Sequence, residues 1–157
     1  MLRAGALAVG VLLAACQPAP ASKPAEEQAV TDPAAINPVV HFEIPVTDMD
    51  RAVRFYEAVF VVKLERREVD GYDMAFFPHA DGRPGASGAL AKGDVYKPTK
   101  DGAILYFDVP DIDAVVARAQ ENGGAVLYPK KDIGDASFVA EIADSEGNRI
   151  ALSQAAE

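Results

Sequence analysis

Cysteine occurs once in these 157 residues and histidine only twice. A lone Cys16 cannot close a disulfide within the chain, and its place near the start leaves a folded domain no thiol for nucleophilic work. No glycine-rich phosphate loop opens a helix, and no serine stands in a nucleophile-elbow context, so those two chemistries are excluded as well. Basic residues are outnumbered, 15 to 24, giving a net charge of -9. A phosphate backbone would be repelled by such a chain, which removes nucleic acid as a partner. What is present is the balance of a globular protein: half hydrophobic, a quarter charged and 8% aromatic. The length suits one domain of ordinary size with a remainder.

The remainder is N-terminal. Arg3 is followed by an uncharged apolar run over residues 4–15, 12 residues long. That is a signal-peptide core and is too short for a membrane-spanning helix, which needs about 20. The run ends in Leu13-Ala14-Ala15-Cys16, which resembles the bacterial lipobox. The resemblance implies removal of residues 1–15 and diacylglycerol on the Cys16 sulfur, a membrane anchor without a spanning segment. Gln17 stands where inner-membrane retention usually shows Asp, which points to the outer membrane, facing the periplasm, in a Gram-negative source. Residues 16–37 are rich in Pro and Ala, with no aromatic residue and no sustained apolar period. They read as a lipidated tether whose four prolines forbid a continuous helix.

From Pro38 to the end, residues 38–157, the pattern is regular. Val40, Phe42, Ile44 and Val46 alternate with polar neighbours as a strand does. Asp48 then caps a helix striped by Met49, Ala52, Val53, Tyr56 and Phe60. Sixty-three residues later the arrangement returns: Ala103, Leu105, Phe107 and Val109 alternate, and Asp111 caps a helix striped by Ile112, Val115, Val116 and Ala119, stopped by Gly123 and Gly124. VTDMDRAV and VPDIDAVV make the duplication visible. Strands are predicted over 62–69, 72–77 and about 86–91 in the first copy, with Asp70-Gly71 as a two-residue hairpin turn. In the second copy they are predicted over 125–128, 137–143 and 149–153. The chain thus reads as α+β, two strand-helix-three-strand repeats spanning about 38–92 and 102–154. The loop 79–85 and the arm 93–102 carry Gly, Pro and charge and read as the mobile pieces.

Two such units, with VHFEIPVTDMDRAVRFYEAVF opening the first and DSEGNRIAL closing the second, resemble the vicinal oxygen chelate superfamily of glyoxalase I, bleomycin-resistance proteins and extradiol dioxygenases. The wording AFFP, GALAKG, KP and EGNRI is similar to its glyoxalase-related branch. The resemblance implies two four-stranded half-barrels with helices outside, their inner faces enclosing one elongated cavity. It also implies four metal positions, which fall on His41, on Ala89 or Leu90, on Ile104 and on Ala151. Only His41 can ligate, so no metal and no other cofactor is expected. A recruited divalent site from His41, Glu43 and Asp108 is the alternative.

Strand parity sorts the remaining side chains. If the apolar face of the first strand packs under the helix, His41 and Glu43 point to the concave face, as do Tyr106 and Asp108 in the second copy. Met74, with Tyr72 and Phe76, lines the adjacent hairpin. These five, His41, Glu43, Tyr106, Asp108 and Met74, are the candidate ligand contacts, and Glu43 is the candidate general base or acid, because a buried carboxylate must either pair with His41 or become partly neutral. His79 reads as exposed, and Arg66-Arg67 and Lys130-Lys131 as solvated surface.

Two pictures fit those five residues: a ligand cavity, or an interior that they merely fill. The functional reading is a membrane-tethered glyoxalase-like domain binding a small organic molecule without the usual metal, as monomer or homodimer. Its rivals are a metal-dependent lyase or isomerase of the lactoylglutathione lyase type and a binding protein that sequesters a toxin or antibiotic.

Overall fold

The structure, a computed structural model, describes residues 39–156 apart from Asp81 and Arg83. The expected signal segment, Cys16 and the tether lie outside the described residues. Among the described residues no helix is long and apolar enough to cross a membrane.

The first repeat runs β1 (His41–Pro45), α1 (Met49–Phe60), β2 (Glu65–Val69), β3 (Tyr72–Phe76) and β4 (Ser87–Lys92). The second runs β5 (Leu105–Asp108), α2 (Ile112–Glu121), β6 (Ala125–Gly134), β7 (Ser137–Ala143) and β8 (Arg149–Ala155). Each repeat forms its own four-stranded mixed sheet, in the orders β1-β4-β3-β2 and β5-β8-β7-β6. The first strand of each repeat lies parallel to the last, and the other neighbours are antiparallel. The expected pair of strand-helix-three-strand repeats is therefore the architecture found.

Both helices begin where a carboxylate can cap them. Asp48 accepts from the Arg51 N–H at 3.0 Å, and Asp111 from the Asp113 and Ala114 N–H groups at 2.9 and 3.2 Å, satisfying donors that the first turn would leave open. The ends differ. α2 runs out into Gly123 at φ 90, whereas α1 stops at Val61 with φ 56, a left-handed position that a β-branched residue occupies at a cost. Asp70 and Gly71 both take positive φ, as a type I′ hairpin turn requires.

The largest departure from the predicted elements is β6, which continues past residue 128 to Gly134. Pro129 hid that extension, since proline reads as a strand breaker. It is tolerated because β6 is an edge strand and its register shifts between Tyr128 and Lys131, so no ladder donor is missed. The turn into β7 uses Asp135 and Ala136, both at positive φ, directly after Gly134 at φ 87.

One apolar core serves both repeats. Ile44, Met49, Phe55, Tyr56 and Val59 of the first are continuous with Ile112, Val115, Ile142, Ile150 and Leu152 of the second. Phe107 seals the seam, its ring 4.7 Å from Phe60 and 5.9 Å, edge-on, from Phe42. A polar tie crosses it too: the buried Tyr56 hydroxyl donates to Asp144 at 2.7 Å, and the Asp144 carboxylate also accepts from the Glu146 and Asn148 N–H groups. Burial and the adjacent carboxylate push the Tyr56 phenol well above its ordinary range, so it stays a donor.

Candidate functional site

Parity along β1 places Phe42 and Ile44 in the helix-covered core and leaves His41 and Glu43 on the other face of the first sheet. The register continues that face across the sheet: Glu43 stands opposite Ala89, which stands opposite Phe76, and Met74 stands opposite Ala91. Met74, Ala89 and Ala91 are buried in a second, smaller apolar cluster, with Tyr72, Phe76 and Tyr96 packed on it. Tyr96 comes from the arm after β4. Gly93 permits this, because a Cβ there would sit 2.4 Å from the Tyr72 ring, against which the Tyr96 ring stands edge-on at 5.3 Å.

Polar groups meet at the margin of this apolar floor. The Tyr96 hydroxyl donates to Glu43 Oε2 at 2.7 Å, and the carboxylate beside it, helped by burial, pushes the phenol up to about 12. Glu43 Oε1 lies 3.9 Å from His41 Nε2. On its other side, His41 Nδ1 is 2.7 Å from Ser87 Oγ, whose own proton goes to the Val40 carbonyl at 3.0 Å. The Ser87 hydroxyl has one proton and two acceptors in reach; in the tautomer that leaves it on the Val40 carbonyl, Nδ1 donates and the Nε2 lone pair faces Glu43. In that arrangement two acceptors 3.9 Å apart face a space where a ligand N–H or O–H could donate.

Glu43 was expected to be buried, with a desolvation cost forcing it to pair or neutralise. Its side chain is 37% exposed, and its firm partner is Tyr96. The wall also holds fewer of the expected residues than parity suggested. His41, Glu43 and Met74 share the face of the first sheet. Tyr106, 58% exposed, and Asp108 lie on β5 and line a separate half-open cleft of about 800 Å³, walled by Phe42, Phe60, Phe77 and Phe107. His79 is exposed, as read, yet it lines the same depression as His41.

Three residues that sequence reasoning passed over belong to the site: Ser87, Tyr96 and Arg67. An aromatic residue inside an otherwise Gly-, Pro- and Lys-rich arm was the available signal for Tyr96. The Arg66-Arg67 pair, read as undifferentiated surface, is split by strand parity. Arg66 bonds to Asp50 and, at 2.7 Å, to Asp73. Arg67 is on the site face, its guanidinium 3.7 Å over the Phe76 ring.

The metal positions implied by the fold do not fit a metal. Ala89 and Ala151 are buried methyl groups and Ile104 offers no donor, so His41 alone could ligate. Among the described residues no three His, Cys, Asp or Glu side chains converge, and Asp108 is not brought to His41 and Glu43.

The profile of the Glyoxalase/Bleomycin resistance protein/Dioxygenase superfamily matches residues 39–152. CFP32 of Mycobacterium tuberculosis, a protein named provisionally as a glyoxylase, is 33% identical over 119 residues, 72% of this chain. The match covers 44% of CFP32, so the chain spans less than half the length of that relative. The lactoylglutathione lyase of Haemophilus influenzae is 26% identical over 71% of this chain and 88% of its own. Among solved structures, a glyoxalase family protein from Bacillus cereus superposes with a TM-score of 0.61 at 21% identity, covering 76% of this chain and 94% of that one. Glyoxalase I from Zea mays gives 0.58 at 22% identity over 73% of this chain and 44% of its own.

Proposed function

Because the chain belongs to the Glyoxalase/Bleomycin resistance protein/Dioxygenase superfamily, we propose that it is a glyoxalase-like domain that binds one small organic molecule on the exposed face of its first sheet, without the usual metal. In this reading it is exported and held on a membrane by lipid on Cys16, as a monomer or a homodimer. The observation that carries ligand binding is the Tyr96–Glu43···His41 array beside the depression that His41 lines together with Phe76, Phe77 and Pro78. A largely apolar surface with a few convergent polar groups is how small-molecule sites are built.

The test is a thermal-shift and calorimetric ligand screen repeated on Glu43→Gln. A ligand held by Glu43 loses about 1.5 to 3 kcal/mol of binding free energy in the variant, the worth of a hydrogen bond to a charged group. If Glu43 only fills the face, no ligand responds, and stability alone changes. Turnover has a distinct signature: Glu43→Gln abolishes product formation while substrate still binds, because a base acts in the transition state. The lactoylglutathione lyase among the relatives supplies the second reading, a lyase or isomerase, and the donor-poor ligand positions weigh against its metal-dependent form. A sequestering protein instead saturates at one ligand per chain and consumes none.

A further inference from the structure

The depression next to His41 holds two basic side chains, Arg67 and Lys63, against one acid, Glu65, in a chain whose net charge is -9. Its lining includes Arg67, Lys63, His41 and His79, with Ser87 and the Phe76 ring, around a volume of about 650 Å³. Phe76 is the common floor: the Arg67 guanidinium stacks on it, and the His41 ring lies 6.2 Å from it, tilted by 33°. Glu65 is the acid of the depression, opposite Phe76 in the β2–β3 register.

The two neighbouring arginines differ in what they hold. Arg66 is occupied by two carboxylates. The Arg67 side chain makes no hydrogen bond or ion pair among the described residues, and the Glu65 carboxylate makes none with it or with Lys63. Lys63 is taken up by Glu57 at 2.8 Å, so it contributes field more than a free donor. Arg67 therefore presents a planar fork of donors, oriented by the ring beneath it and not yet used. A guanidinium so placed matches a carboxylate in a two-bond arrangement, whereas an ammonium offers only a point charge.

We propose that Arg67, stacked on Phe76 and flanked by His41, is the carboxylate-binding end of the ligand site, so that the ligand is a small organic acid. It rests on the ligand-binding reading above and adds the ligand's class. The acid's carboxylate docks on Arg67, its apolar body lies along Phe76, and a donor group further along reaches the His41–Glu43 gap.

The experiment titrates the full chain, in detergent, with benzoate, phenylacetate and 2-hydroxyphenylacetate, and with the neutral amide of each, by calorimetry. The proposal expects saturable binding of at least one acid, weaker binding of its amide, and a loss of about tenfold or more in Arg67→Gln. Arg66→Gln, which disturbs only the opposite face, should leave the acid's affinity unchanged and serves as the control for local damage to β2. Acid binding of equal strength in Arg67→Gln overturns the subsite, as does an amide binding as tightly as its acid, or no binding by any of the three acids at millimolar concentration. The wider ligand-binding reading is judged separately, by whether neutral ligands from the screen respond to Glu43→Gln.

Discussion

Tyr96 and Glu43, 53 residues apart, are joined by a 2.7 Å hydrogen bond from the phenol to the carboxylate. The bond ties the arm after β4 to the face of the first sheet, adding a contact between neutral donor and charged acceptor to the packing of Tyr96 on Tyr72. Because Glu43 raises the Tyr96 phenol to about 12, the contact stabilises the fold fully below the ordinary tyrosine value near 10. It is lost as pH climbs from about 10 through about 12. Ultraviolet titration should show a late-ionising tyrosine that is absent from Tyr96→Phe. An unchanged count of late tyrosines in the variant would place the arm elsewhere.

Glu146 is the main acid-sensitive joint. Burial opposes its charge, but the Arg51 guanidinium, the Thr47 hydroxyl and the Thr47 and Asp48 N–H groups outweigh it and hold the carboxyl at about 2. A carboxyl lowered from 4.5 contributes stability that is complete above 4.5 and is lost as pH falls through about 2, at most about 3 kcal/mol. Glu146→Gln should therefore lower the melting temperature at neutral pH and flatten the acid limb. Parallel pH profiles for the two proteins would contradict this.

The anchor follows from Leu13-Ala14-Ala15-Cys16. Cys16→Ser should leave an unprocessed precursor or a protein released from membranes by washing, since no thiol remains to carry lipid. A variant still trimmed and still membrane-bound would mean that another feature holds the chain.

Metal content follows from Ala89, Ile104 and Ala151. The dialysed protein should retain well under one equivalent of zinc, nickel or iron, and chelator should leave its melting temperature unchanged. Stoichiometric, chelator-sensitive metal would revive the lyase reading with His41 and Glu43 as ligands.

How much of this was legible beforehand depends on how local the cause is. Alternation in Phe42 and Ile44, the caps at Asp48 and Asp111 and the turn at Asp70-Gly71 are set by neighbours in the chain. Sequence alone therefore determined the duplicated architecture and put His41 and Glu43 on the open face. Causes spread over distance were invisible. That Arg66 is spent on Asp50 and Asp73 while Arg67 is left over Phe76 depends on which face each strand presents and what α1 brings near. That Tyr96 reaches Glu43 depends on a loop folding back across a sheet, where Gly93 leaves room. Periodicity could place Tyr106 and Asp108 opposite the helix of their own repeat, but only the packing of one repeat on the other decided that they line a separate cleft. Parity is a property of one strand, whereas convergence requires two sheets to be positioned by a shared core of Phe42, Phe60 and Phe107.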